Sequence, residues 1–142
     1  MKSLEEWMSL YAESHQDPLN KKIHNICVPV IFFTVVALLW KVSFFLFLIV
    51  ALAAVGFYFT MGRKVAVVGA SMIGVSLLLQ LILGFGFIAL IVIFAAAWAG
   101  QFYGHKVEGK KPSFINDLLF LFIGPLWVAR PVLTKLGYSV KD

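Results

Sequence analysis

Residues Val65–Tyr103 read VAVVGASMIGVSLLLQLILGFGFIALIVIFAAAWAGQFY, 39 residues without a charged side chain. A helix crosses ~30 Å of hydrocarbon with about 20 residues. The stretch is too long for one crossing and right for two. Gly84-Phe85-Gly86 lies at its middle, where two glycines allow a tight reversal. A hairpin of two spans follows, at 65–83 and 87–104.

Two more uncharged runs precede it, Ile23–Trp40 and Val42–Gly62. They predict spans at 24–40 and 43–61, with Lys41 between them and Gly62-Arg63-Lys64 after. Downstream, Leu118–Ala129 has only 12 apolar residues and contains Gly124-Pro125. That is too short to cross, and an interfacial or re-entrant helix over 113–133 is expected. The fold class is therefore all-α, a polytopic membrane helix bundle of about four transmembrane spans plus that short C-terminal segment. Residues 1–142 form a single membrane-embedded domain, with 1–22 as a polar, cytoplasmic N-terminal segment.

Composition agrees. The chain is 61% hydrophobic and 13% charged, with a mean hydropathy of +0.93. A soluble domain carries roughly 25% charged residues. The net charge of +5 lies between apolar blocks, which reads as topology and contact with anionic headgroups rather than nucleic-acid binding. The single Cys27 cannot form an internal disulfide and reads as a packing residue. The N-terminus lacks the basic-then-apolar layout of a cleavable signal, so the first span is expected to direct insertion.

With the N-terminus inside, Lys2, Lys21, Lys22, Arg63, Lys64, Lys106, Lys110 and Lys111 collect on the inner face and only Lys41 on the outer. An even number of spans returns His105 to the face that holds His15 and His24. Small residues recur every four positions at Ala66/Ala70/Gly74 and Ala96/Gly100/Gly104, a spacing that lets helices approach closely in lipid.

Two polar clusters flank the spans. In His15-Gln-Asp-Pro-Leu-Asn-Lys-Lys-Ile-His24, Asp17-Pro18 is a helix start, with Asp as N-cap and Pro in the first turn. His15 then sits in the turn before the helix, and Asn20 and His24 share one face. In Gln101-Phe-Tyr-Gly-His105-Lys-Val-Glu108, all three polar residues share a face if the helix runs through Gly104. Lys110, Lys111 and Pro112 should end it soon after. Spacing alone leaves two readings open: interfacial polar residues with local hydrogen bonds, or a metal site of three imidazoles with or without a carboxylate. Such a donor set suits Fe(II) or Zn(II) better than Mg or Ca. Three histidines are too few for the eight-histidine di-iron membrane enzymes. No phosphate loop or Ser–His–Asp arrangement is present.

At these residues the chain resembles the endoplasmic-reticulum 2-hydroxy fatty acid dioxygenases of yeast fatty-acid α-oxidation and their bacterial relatives. The matching pattern is Tyr11-x-x-x-His15 and Asn20-x-x-x-His24 with Pro29, then Trp98-x-x-Gln101-x-x-Gly104-His105-x-x-Glu108 with Pro112. The resemblance implies an enzyme that uses Fe(II) and O2 to shorten a 2-hydroxy fatty acid by one carbon. It implies His15, His24 and His105 as iron ligands, Glu108 as a fourth ligand or base, and Asn20 and Gln101 as supporting catalytic residues. Lys21, Lys22 and Lys106 are candidates to attract the substrate carboxylate. One departure is Arg130, where many relatives are expected to carry an acidic residue.

Partners expected are a fatty-acid or lipid substrate and membrane lipid, with room for a homo-oligomer. The host membrane would be the bacterial inner membrane or the endoplasmic reticulum, with the metal site on the cytoplasmic face. Competing readings are a non-enzymatic membrane scaffold or transporter subunit, and a zinc-dependent lipid hydrolase.

Overall fold

The computed structural model describes residues 2–109 and 114–138, the side chains of 114–118 excepted. The expectations placed on Lys110, Lys111 and Pro112 lie outside these residues. Among the described residues seven helices follow in order: α1 (Leu4–Ala12), α2 (Pro18–Val42), α3 (Phe44–Phe59), α4 (Arg63–Leu83), α5 (Phe87–Glu108), α6 (Phe114–Val128) and α7 (Arg130–Lys135).

Local chemistry sets the boundaries. The Asp17 carboxylate accepts from the backbone N–H of Leu19 and Asn20, and Pro18 opens α2 where its missing N–H costs nothing. Ser43 alone joins α2 to α3: it is extended and its hydroxyl caps α3 by accepting from Leu46 N–H. Gly84 ends α4 in the left-handed region (φ 65°), a conformation only glycine adopts without strain, and Gly86 precedes α5. The predicted hairpin is thus the observed one. Helix α5 runs through Gly104 to Glu108 before Gly109 turns left-handed.

Helices α2, α4 and α5 are long and apolar enough to cross a membrane. Helix α3 has 16 residues, about 24 Å, because it stops at the Thr60–Gly62 turn, short of the 43–61 span read from hydropathy. Outward faces are apolar: Phe45, Ile49, Leu78, Ile82, Ile88 and Val92 are all exposed. Such continuous apolar surface belongs in lipid.

Helices α2 and α5 pack most extensively and run antiparallel, so the start of α2 meets the end of α5. The glycines of α5 make this approach. A Cβ on Gly100 would come 2.7 Å from the Cys27 sulfur, and one on Gly104 would overlap Asn20 Oδ1 and crowd the His24 ring. The Gly100/Gly104 part of that stripe is a contact face. On α4 it is not: Ala70 and Gly74 are exposed, and Gly69 instead lies under the Tyr58 ring. Hydropathy rises on every side of a lipid-bathed helix, so four-residue spacing could not show which side meets protein.

The N-terminal segment departs most from expectation. Residues 4–12 form an amphipathic helix with a capping box in which Ser3 and Glu6 exchange hydrogen bonds. It buries Leu4, Trp7, Met8 and Tyr11 in one cluster with Tyr58, Val65, Ile123, Leu126 and Trp127. Helix α6 is wedged into that cluster, and the Tyr58 hydroxyl donates to Phe122 C=O at 2.9 Å.

Candidate metal centre

The turn between α1 and α2 drops His15 into the bundle beside His24 of α2 and His105 of α5. Their ring centres are 4.3 Å (His15–His24), 5.2 Å (His24–His105) and 5.9 Å (His15–His105) apart. An imidazole bound at ~2.1 Å puts its ring centre about 3 Å from the ion, so rings sharing one ion stand about 4–6 Å apart. All three are buried. Among the described residues, no three His, Cys, Asp or Glu side chains already stand in metal-holding geometry. The rings are gathered rather than closed around an ion.

Their hydrogen bonds test whether the site fits a metal. His15 Nδ1 lies 2.6 Å from Tyr11 C=O, and His24 Nδ1 lies 3.0 Å from Asn20 C=O. A carbonyl only accepts, so both Nδ1 atoms carry the proton and both Nε2 atoms present a lone pair. His15 Nε2 is buried and has no hydrogen-bond partner. A buried imidazole lone pair without a partner is costly unless something binds it. Burial also pushes the His15 pKa from the usual 6.5 down to about 4, which keeps the ring neutral at physiological pH. Neutral nitrogen donors with carbonyl-anchored Nδ1 atoms fit Fe(II) or Zn(II).

Glu108 holds the frame. Its Oε1 accepts from the backbone N–H of Gln16 (2.9 Å) and Asp17 (2.9 Å) and from Asn20 Nδ2 (3.1 Å). The end of α5 is thereby tied to the turn that carries His15. Asn20 Nδ2 also donates to Ser14 C=O at 3.2 Å. Both residues thus bond to the turn that positions the histidines.

Gln101 lines the same chamber, with Trp98, Val28, Ile31, Phe120 and Leu121, around a cavity of about 30 Å³. Gln101 Oε1 is buried and unpartnered. Lys21, Lys22 and Lys106 do not line the chamber, and Lys22 and Lys106 are exposed near its end of the bundle. Lys41 lies at the opposite end, over the Phe87 ring.

Several residues around the site escaped the sequence reading. Trp127 of α6 lies 5.7 Å from His15 and 5.3 Å from Tyr11, and Phe120 and Leu121 close one wall. Apolar residues of a short segment carried no signal for a site. Helix α1 did leave a signal in Ser3-x-x-Glu6 together with Leu4, Trp7, Met8 and Tyr11 at helical spacing.

A family profile described as 2-hydroxy-palmitic acid dioxygenase Mpo1-like matches residues 1–62 and 60–136. No curated protein and no solved structure matches the chain. The match takes in all three histidines, the Glu108 frame and the α6 wall, and on that coverage the chain belongs to the Mpo1-like family.

Proposed function

We propose that this chain is an Fe(II)-dependent dioxygenase that removes one carbon from 2-hydroxy fatty acids at the membrane edge. The observation that carries the reading is the pair of carbonyl-anchored imidazoles, His15 and His24, facing His105 with the His15 Nε2 lone pair unclaimed. His15, His24 and His105 would hold the ion, and iron when bound supplies a centre for O2 and for the carboxylate and 2-hydroxyl of the acid.

The chain's own groups do the rest. Gln101 Oε1 is an acceptor for the 2-hydroxyl proton and would orient the acid. Trp98, Phe120 and Leu121 keep bulk water from the chamber. Glu108 and Asn20 are positioning residues that hold the His15 turn against α5. Lys21, Lys22 and Lys106, at the same end, would draw carboxylates toward the opening. By the positive-inside rule, their excess over Lys41 supports a cytoplasmic side for this end.

The conversion balances with one O2 consumed, C1 leaving as carbon dioxide, and one water formed beside the shortened acid. The test is oxygen uptake and product mass by iron-loaded protein given 2-hydroxyhexadecanoic acid. The expected product is the acid one carbon shorter, dependent on iron. Absence of uptake, or stoichiometric zinc with ester hydrolysis, overturns the reading.

A further inference from the structure

A second chamber, of about 100 Å³, lies between α2, α3, α4 and α6. Its lining is wholly apolar and includes Val35, Val36, Leu39, Phe47 and Ala51. It shares one wall residue, Leu121, with the histidine chamber. On α2 the residues facing the two chambers form one stripe: His24, Val28 and Ile31 in the first, Val35 and Leu39 in the second. Steps of four, three, four and four keep them on one helical face. An alkyl chain attached to a polar head at the histidines would follow α2 past Leu121, the wall common to both chambers, and past Thr34, whose hydroxyl is already spent on Ile31 C=O at 2.8 Å.

We infer that this inner chamber takes the alkyl tail of the acid and that Phe47 closes its far end, limiting chain length. The inference rests on the function proposed above. Phe47 is buried, and the Trp40 ring meets it edge-on at 5.5 Å and meets Phe44 at 5.8 Å, forming an aromatic stop. From His24 to Leu39 the helix rises about 22 Å. A zigzag of ~1.5 Å bonds advances about 1.3 Å per carbon, so the path fits about 14–18 carbons. A larger apolar groove of about 640 Å³, with Val67, Val75, Leu79 and Val132 along it, opens outward and shares no lining residue with the histidine chamber. Membrane lipid would fill it.

The test uses the full chain in phosphatidylcholine vesicles and 2-hydroxyhexadecanoic acid carrying a diazirine at its tail. Adducts that excess unlabelled acid abolishes are mapped by mass spectrometry. They should fall on residues 36–39, 47–51 and 121–122, and Ala51→Phe should lower them about tenfold. Should that variant misfold, Phe47→Ala should let a probe about four carbons longer react inside the chamber. Saturable adducts on Val67, Val75 or Val132, or none at all, overturn the inference. The map needs no turnover, so failed oxidation with correct adducts faults the chemistry alone, and oxidation with adducts elsewhere faults the tail chamber alone.

Discussion

The His15 imidazole lies flat on the Tyr11 ring, centres 3.9 Å apart and planes within 2°, while its Nδ1 bonds to the carbonyl of that same tyrosine. Tyr11 thus sets the tilt of the ring and takes the shorter bond from Nδ1, with the Ser14 hydroxyl 3.1 Å from the same nitrogen. Tyr11→Leu keeps the carbonyl and removes the stack. It should weaken metal binding about tenfold, the effect expected when a ligand loses its outer support. Metal titration of purified protein checks this, and an unchanged affinity would remove Tyr11 from the site.

Glu108→Ala should cost about 2 kcal/mol, because two backbone N–H groups and Asn20 Nδ2 lose their acceptor together. Glu108→Gln keeps an oxygen there and should fall between the variant and wild type. Denaturation in mixed micelles gives the stabilities. Metal affinity should fall with stability, since the same bonds hold the His15 turn.

Gly104→Ala puts a methyl group against Asn20 and His24, and overpacking of this kind costs about 1–3 kcal/mol. Gly74→Ala meets nothing within 4 Å and should be neutral or slightly stabilising. Comparing their melting temperatures separates close packing from helix propensity.

That contrast also shows what could be read from the sequence. The Gly84–Gly86 turn, the Asp17-Pro18 helix start and the return of His105 to His24 all follow from chain-local signals: charge gaps, glycines and caps. The working side of α4 does not, because lipid and protein select the same apolar residues. Nor could spacing show that Glu108 reaches back to Gln16 and Asp17, a contact made only when two helices distant in sequence pack. The roles of Trp127, Phe120 and Leu121 are equally tertiary.

Acid should destabilise the metal-free protein through His15. Its folded pKa of about 4 lies below the usual 6.5, so between those values the unfolded chain binds more protons. Stability from the neutral ring is complete above about pH 6.5 and falls as pH drops toward about 4. The full difference is about 3 kcal/mol. Denaturation of metal-free wild type and His15→Gln across that range checks the sign: the variant should lose less stability between pH 7 and 4.

The proposed function requires His15, His24 and His105 to hold one iron. The most direct measurement is metal content of protein purified without a His-tag, for wild type and for a His24→Ala variant of unchanged helicity. One iron per chain in wild type and less than a tenth of that in the variant is the predicted result. Iron retained by His24→Ala, or no stoichiometric metal in wild type, would contradict it.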